Sequence, residues 1–238
     1  MSDNPPKINL DEFFYGLTDE IYCIIKIRNN FPDYSPGDDI DIFCYDSITF
    51  SQKILETGNT YVLRGFEIKV TSTPDYRQTY IDFFYNEKLE LRFDLYQSLP
   101  AYTNIRIRPA LFSSIIEHAI PRKRYFQNQQ FDIYVPNAID DMLIRYIEYH
   151  EWYKQRPDKI KHLDYILNTI HDTSRISLMD KIHYYTELPP IEHAKNKPQI
   201  NFMDKLMSSV PMVQIINSKF TIRLIIPPLK SLKNALKK

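Results

Sequence analysis

A chain of 238 residues has room for one large domain or a domain with a smaller companion, and 43% hydrophobic with 25% charged residues is the content of an ordinary soluble protein able to bury a core. Lys plus Arg and Asp plus Glu each total 30, so the chain carries no net charge and lacks the electrostatic footprint of a non-specific nucleic-acid binder, which makes nucleic acid an unexpected partner. Only 4 glycines stand against 18 Tyr and 14 Phe, and neither GxGxxG nor GxxxxGK[ST] occurs, so the Gly-rich phosphate loops of Rossmann and P-loop proteins are excluded.

The two cysteines, Cys23 and Cys44, fall in separate apolar runs without CxxC spacing, the pattern of reduced thiols. Residues 1–7 are polar and Pro-rich with no apolar signal core, and no run reaches the roughly 18 consecutive apolar residues of a membrane span. The expected location is cytoplasmic.

In chain order, Leu10 to Phe14 predicts a short helix ending near Gly16, and the apolar run Ile21 to Ile27, with Lys26 inside it, predicts a central strand. Phe31 to Gly37, stiffened by Pro32 and Pro36, reads as a loop leading into a strand over 39–45. A helix over 47–57 is closed by Gly58-Asn59, and strands follow over 61–71, 79–85 and 89–96, the last two joined by a tight turn at Asn86-Glu87-Lys88. Phe112 to Ala119 predicts a short helix, Pro121-Arg122-Lys123-Arg124 a basic turn, and Phe131 to Val135 another strand. Asn137 opens a long helix whose stripe of Ile139, Met142, Leu143, Tyr146, Ile147 and His150 ends before Pro157, and a second helix spans about 158–171. Residues 173–185 fit a further helix, 186–200 a linker, and 201–238 a tail ending in the basic amphipathic stretch Leu229 to Lys238.

These elements define an α+β protein: a mixed-sheet domain over 1–135, covered on one side, a helical subdomain over 136–185, and a linker and tail over 186–238. The tail reads either as a frayed terminal helix or as a weak peripheral contact with an anionic membrane surface or a protein partner.

The chemistry concentrates at Gly37-Asp38-Asp39-Ile40-Asp41-Ile42-Phe43. In a strand, Asp39 and Asp41 leave the same face, and two carboxylates on one face repel unless a cation lies between them. Hard divalent ions are held by one or two carboxylates together with phosphate oxygens, so the pair points to Mg²⁺ or Mn²⁺ and to phosphate chemistry. Leu89 to Tyr96 alternates strictly, with Glu90, Arg92, Asp94 and Tyr96 on the polar face, so Asp94 becomes a third ligand if this strand neighbours the first; Asp82 competes for that place. Asp38 reads as a turn or capping residue. The basic residues Arg106, Arg108, Arg122, Lys123 and Arg124 fit an acidic substrate or a solvated face. The six histidines show no metal-binding spacing and read mostly as structural.

At these aspartates the first half of the chain resembles the polymerase-β-like nucleotidyltransferase superfamily, and within it the bacterial nucleotidyltransferase-like proteins of polysaccharide gene clusters. The likeness covers about 20–96, with a weaker echo at Val135 to Ala138 and Lys161 to Tyr165, and that second segment implies His162 as the best functional candidate among the histidines. It implies that Asp39, Asp41 and Asp94 hold Mg²⁺ or Mn²⁺, that a nucleoside triphosphate donates a nucleotidyl group, and that the acceptor is a sugar, sugar phosphate or other small phosphorylated compound, in surface-polysaccharide synthesis. Where that superfamily carries a glycine turn for the phosphates, this chain has Arg28-Asn29-Asn30. The departure implies either a phosphate clamp by Arg28 and Asn29, assisted by Arg64 and Arg92, or a scaffold that has lost nucleotide binding and serves as an interaction module. A metal-dependent glycosyltransferase using a nucleotide sugar is a third reading, because such enzymes also employ an Asp-x-Asp pair.

Overall fold

In the computed structural model the described residues are 6–28 and 30–191. Asn9 opens α1 (Leu10–Tyr15), its side chain accepting from the Asp11 amide, and Leu10, Phe13 and Phe14 form the buried face. After β1 (Tyr22–Ile24) the chain loops into β2 (Asp38–Cys44), then into α2 (Ser47–Val62), where Asp46 accepts from the Ile48 and Thr49 amides. Strands β3 (Phe66–Ser72), β4 (Gln78–Tyr85) and β5 (Lys88–Tyr96) complete a five-stranded sheet in the order β1-β2-β5-β4-β3. Every pairing is antiparallel except β2 with β5, so the sheet is mixed. The chain continues through α3 (Ala110–Glu117), the hairpin of β6 (Ile120–Phe126) and β7 (Gln129–Val135), and α4 (Ala138–Trp152) capped by Asn137. A 3₁₀ turn, Pro157–Lys159, leads to α5 (Ile160–Thr169) and α6 (Asp172–Tyr185). The α+β class is as expected.

The hairpin turns follow from backbone chemistry. Asn86 and Glu87 (φ 49° and 62°) and Gln127 and Asn128 (φ 48° and 64°) all adopt left-handed geometry, the requirement of a two-residue turn matched to strand twist.

The sheet is covered on both faces, not one. Ile42, Phe83, Leu91, Phe93 and Leu95 pack with α1, α2 and the β7 residues Phe131 and Ile133. From the other face Cys23, Phe43 and Tyr96 join the buried residues of α3, α4, α5 and α6. The run Ile42-Phe43-Cys44 is buried throughout because it meets apolar partners on each side, which strict alternation elsewhere in the sheet does not announce.

Several boundaries depart from the sequence reading. The run over 21–27 yields a three-residue strand at the sheet edge rather than a central one: Lys26 takes φ 55°, and the chain leaves the ladder after Ile25 donates to the Asp41 carbonyl at 2.9 Å. Helix α2 does not stop at Gly58-Asn59 but runs to Val62, taking Tyr61 and Val62 from the expected third strand. Gly58 is there for contact: a Cβ would lie 2.9 Å from Ile68 Cδ1 and 3.2 Å from the Phe83 ring. The basic segment 121–124 is strand, not turn, with Pro121 near the start of β6, where a missing amide is tolerated. Of the expected linker, residues 186–191 are packed: Thr186 bridges Ile107, Ile191 is buried, and Tyr146 donates to the Pro189 carbonyl at 2.9 Å. The expectations for the tail lie outside the described residues. Among the described residues no helix is long and apolar enough to cross a membrane.

Candidate metal centre and its cleft

The parallel register of β2 with β5 sets Asp41 beside Asp94 and Asp39 beside Arg92. Because side chains alternate, Asp39, Asp41 and Asp94 emerge on the sheet face that carries Phe43 and Tyr96, towards the helices of the second half. One carboxylate oxygen from each lies within 4.8 Å of the other two. Asp39 is exposed, whereas Asp41 and Asp94 retain 8% and 7% of their accessible surface.

Burial pushes the Asp94 carboxyl up to about 7, and the neighbouring Asp41 charge adds to the push while Arg92 opposes it. Asp94 Oδ1 is buried and has no hydrogen-bond partner among the described residues; the nearest cation, Arg92 Nε, stands 3.8 Å away. Burial likewise raises Asp41, countered by the Lys26 ammonium at 2.9 Å. Three converging carboxylates, one with an orphaned oxygen, form an all-oxygen donor set that fits a hard divalent ion such as Mg²⁺ or Mn²⁺, which fills its remaining positions with water or phosphate oxygens.

Lys26 is a participant that the sequence reading passed over. Its left-handed backbone ends β1, and its Nζ lies between Asp41 and Glu148, the latter at 3.7 Å. Burial alone would lower its pKa, but the two carboxylates outweigh that and keep it charged. Glu148 on α4 is in turn bound by Lys159 at 2.9 Å, and the two lysines hold its carboxyl below the usual range despite burial. A chain of alternating charge thus runs from the aspartates to the start of α5.

Asp39 and Asp41 line a cleft of about 470 Å³ between the β1–β2 loop and the α4–α5 helices. The helical wall contributes Arg145, Arg156, Lys159, Lys161 and His162, and no carboxylate from that wall lines the cleft. Their acidic partners Asp141, Glu148 and Asp158 are not among the residues that line the cleft. Of these cations the sequence reading named only Lys161; Arg145 has the spacing of an ordinary helix pair with Asp141, and Arg156 and Lys159 flank Pro157.

The other expected site residues separate. Arg28 lines the cleft, with its guanidinium on Asp38, whose carboxylate also accepts from the Ser35 amide at 2.7 Å; Asp38 is the turn residue expected. Asn29 lies outside the described residues. Arg64 is not at the cleft, and its guanidinium covers the Tyr61 ring at 4.8 Å. Arg92 grips Asp82 with two hydrogen bonds of 2.5 and 3.0 Å, which occupies the rival third carboxylate and leaves Asp94 to the cluster. Arg124 is held by Asp11 through two bonds of 2.8 Å, and Arg108 stacks 4.8 Å over Tyr184, so neither faces the cleft. Among the histidines, His150 packs against Tyr146 and Tyr149, while His162 lines the cleft.

No family model, curated protein or solved structure matches the chain.

Proposed function

We propose that the chain is a metal-dependent nucleotidyltransferase that moves a nucleotidyl group from a nucleoside triphosphate to a hydroxyl or phosphate of a sugar, sugar phosphate or small phosphorylated acceptor, with surface-polysaccharide synthesis as its setting. The observation that carries this reading is the convergence of Asp39, Asp41 and Asp94 across a parallel strand pair, at the edge of a cleft whose far wall is cationic. The resemblance of 20–96 to the polymerase-β-like superfamily supports it from the sequence side. A Mg²⁺ or Mn²⁺ ion bound there supplies charge neutralisation at the triphosphate and the departing pyrophosphate.

Asp39 and Asp41 would hold that ion from the sheet, and its charge would place the donor phosphates. Asp94, the third carboxylate of the set, reaches the same point from β5 and serves as base or base-positioner for the acceptor. The acceptor oxygen forms its bond to the α-phosphorus as the bond between the α-phosphorus and the bridging oxygen breaks; the acceptor proton passes to Asp94 and pyrophosphate leaves. Both cysteine thiols are free and buried, which fits the expected cytoplasmic setting.

The test is calorimetric titration of ATP, CTP, GTP and UTP with and without Mn²⁺, followed by product analysis. Metal-dependent binding of one nucleotide, abolished in Asp39→Ala/Asp41→Ala, with pyrophosphate released on turnover, is the expected result. Release of nucleoside diphosphate from a nucleotide sugar identifies a glycosyltransferase instead. No metal-dependent nucleotide binding identifies a non-catalytic scaffold.

A further inference from the structure

His162 is 6% exposed, and both its ring nitrogens are buried without a hydrogen-bond partner among the described residues, yet the residue lines the cleft. A structural histidine ordinarily commits a nitrogen to the protein, as His118 does with the Ser114 carbonyl at 2.8 Å. An imidazole left with both nitrogens unused leaves its hydrogen-bonding capacity for something that is not part of the fold. Its pKa is lowered to about 4, first by burial and then by Lys159, so at neutral pH the ring is uncharged and offers one N–H donor and one acceptor.

The surroundings select the ligand. Arg145 is fixed by Asp141 at 2.8 Å and by the Tyr165 ring at 4.3 Å, and Lys159 by Glu148, so two cations are held in place. Arg156 and Lys161, with side chains 58% and 67% exposed, share Asp158 as their ion-pair partner among the described residues. Four cations and a neutral donor gather on this wall, while the carboxylates that line the cleft, Asp33, Asp38, Asp39 and Asp41, all lie on the opposite side, so the α4–α5 wall suits an oxyanion. We infer that the α4–α5 wall, anchored by His162, is a phosphate subsite that fills without a divalent metal. Its role rests on the nucleotidyl-transfer reading, in which the phosphate belongs either to the donor's triphosphate or to a phosphorylated acceptor; its binding is measurable independently of that reading.

The experiment is calorimetry on the full chain in EDTA with two probes, inorganic tripolyphosphate and glucose 1-phosphate. At least one binds the wild type, and its affinity falls by about tenfold or more in His162→Phe and in Arg156→Glu/Lys161→Glu, the scale of losing a charge-assisted contact. His162→Gln, which retains a donor, recovers part of the loss, which a packing role alone does not predict. Preference for tripolyphosphate assigns the subsite to the donor, and preference for glucose 1-phosphate assigns it to the acceptor; either supports the subsite. Should His162→Phe not fold, the exposed charge-reversal pair decides the matter. The inference is overturned if neither probe binds in EDTA, or if the charge-reversal pair binds as tightly as the wild type. Retained metal-free phosphate binding without Mn²⁺-dependent pyrophosphate release would instead sink the transfer reading and leave the subsite standing.

Discussion

Asp94→Asn isolates the cost of holding a third carboxylate in the cluster. The Asp94 pKa is raised from 3.8 to about 7. The native state therefore keeps a proton that the unfolded state has lost between those values, so stability is fully present below about pH 4 and is lost as pH rises through 7. At 1.36 kcal/mol per pKa unit the shift corresponds to roughly 4 kcal/mol. Asn keeps the shape and cannot ionise. Urea unfolding of metal-free protein at pH 4.5, 6 and 8, monitored through Trp152, is expected to show the variant gaining about 2 to 4 kcal/mol on the wild type across that range. Mn²⁺ at 100 times the wild-type dissociation constant is expected to return about 2.7 kcal/mol to the wild type at pH 8 and about 1.4 kcal/mol or less to the variant. Parallel pH profiles for the two proteins would refute the reasoning, because they would mean that Asp94 ionises freely in the fold.

Three further outcomes follow from particular contacts. Lys26→Met removes the cation shared by Asp41 and Glu148 and should lower metal-free stability by about 3 kcal/mol while tightening Mn²⁺ binding, read by unfolding with and without metal; weaker Mn²⁺ binding would contradict the competition between the two cations. Glu151→Ala strips the acceptor from the Thr103 and Asn104 amides and from the Thr103 hydroxyl, bonds of 2.8 to 2.9 Å, and should cost about 3 kcal/mol and expose the 97–109 loop to protease; unchanged protease resistance would show that the loop is held otherwise. Gly58→Ala should destabilise by roughly 1 to 2 kcal/mol despite the better helix propensity of alanine, because the Phe83 ring and Ile68 fill the space; a stabilised variant in a thermal melt would contradict the close approach.

The acidic centre was legible in the sequence because it rests on alternation. Asp39 and Asp41 are two apart in a strand, and Leu89, Leu91, Phe93 and Leu95 leave Asp94 on the opposite face from the apolar side chains. The condition for joining them, a neighbouring pair of strands, is set by the parallel register of Asp41 with Asp94 and lies beyond local pattern. The bidentate grip of Arg92 on Asp82 resolved which of two plausible carboxylates joins the centre, and only tertiary placement shows that grip.

The opposite wall was almost invisible. Arg145, Arg156 and Lys159 each have an acidic partner, Asp141, Asp158 and Glu148, and nothing in local pattern places the cations but not those carboxylates at a cleft lined by Asp39 and Asp41. Lys26 was hidden by its left-handed backbone, which cuts short a run that otherwise predicts continuous strand. Gly58 misled because glycine marks helix ends and close packing alike, and the neighbours that distinguish the two come from β3 and β4.

Whether Asp39, Asp41 and Asp94 hold a hard divalent cation decides the metal-dependent reading. Titrating Mn²⁺ into the metal-free protein at pH 8 and following the free ion by electron paramagnetic resonance measures this without reference to substrate. The expected result is bound Mn²⁺ that Mg²⁺ displaces, with affinity reduced about tenfold or more in Asp41→Asn and Asp94→Asn, each removing one anionic ligand. Equal Mn²⁺ titrations for wild type and both variants would mean that the three aspartates hold no such ion.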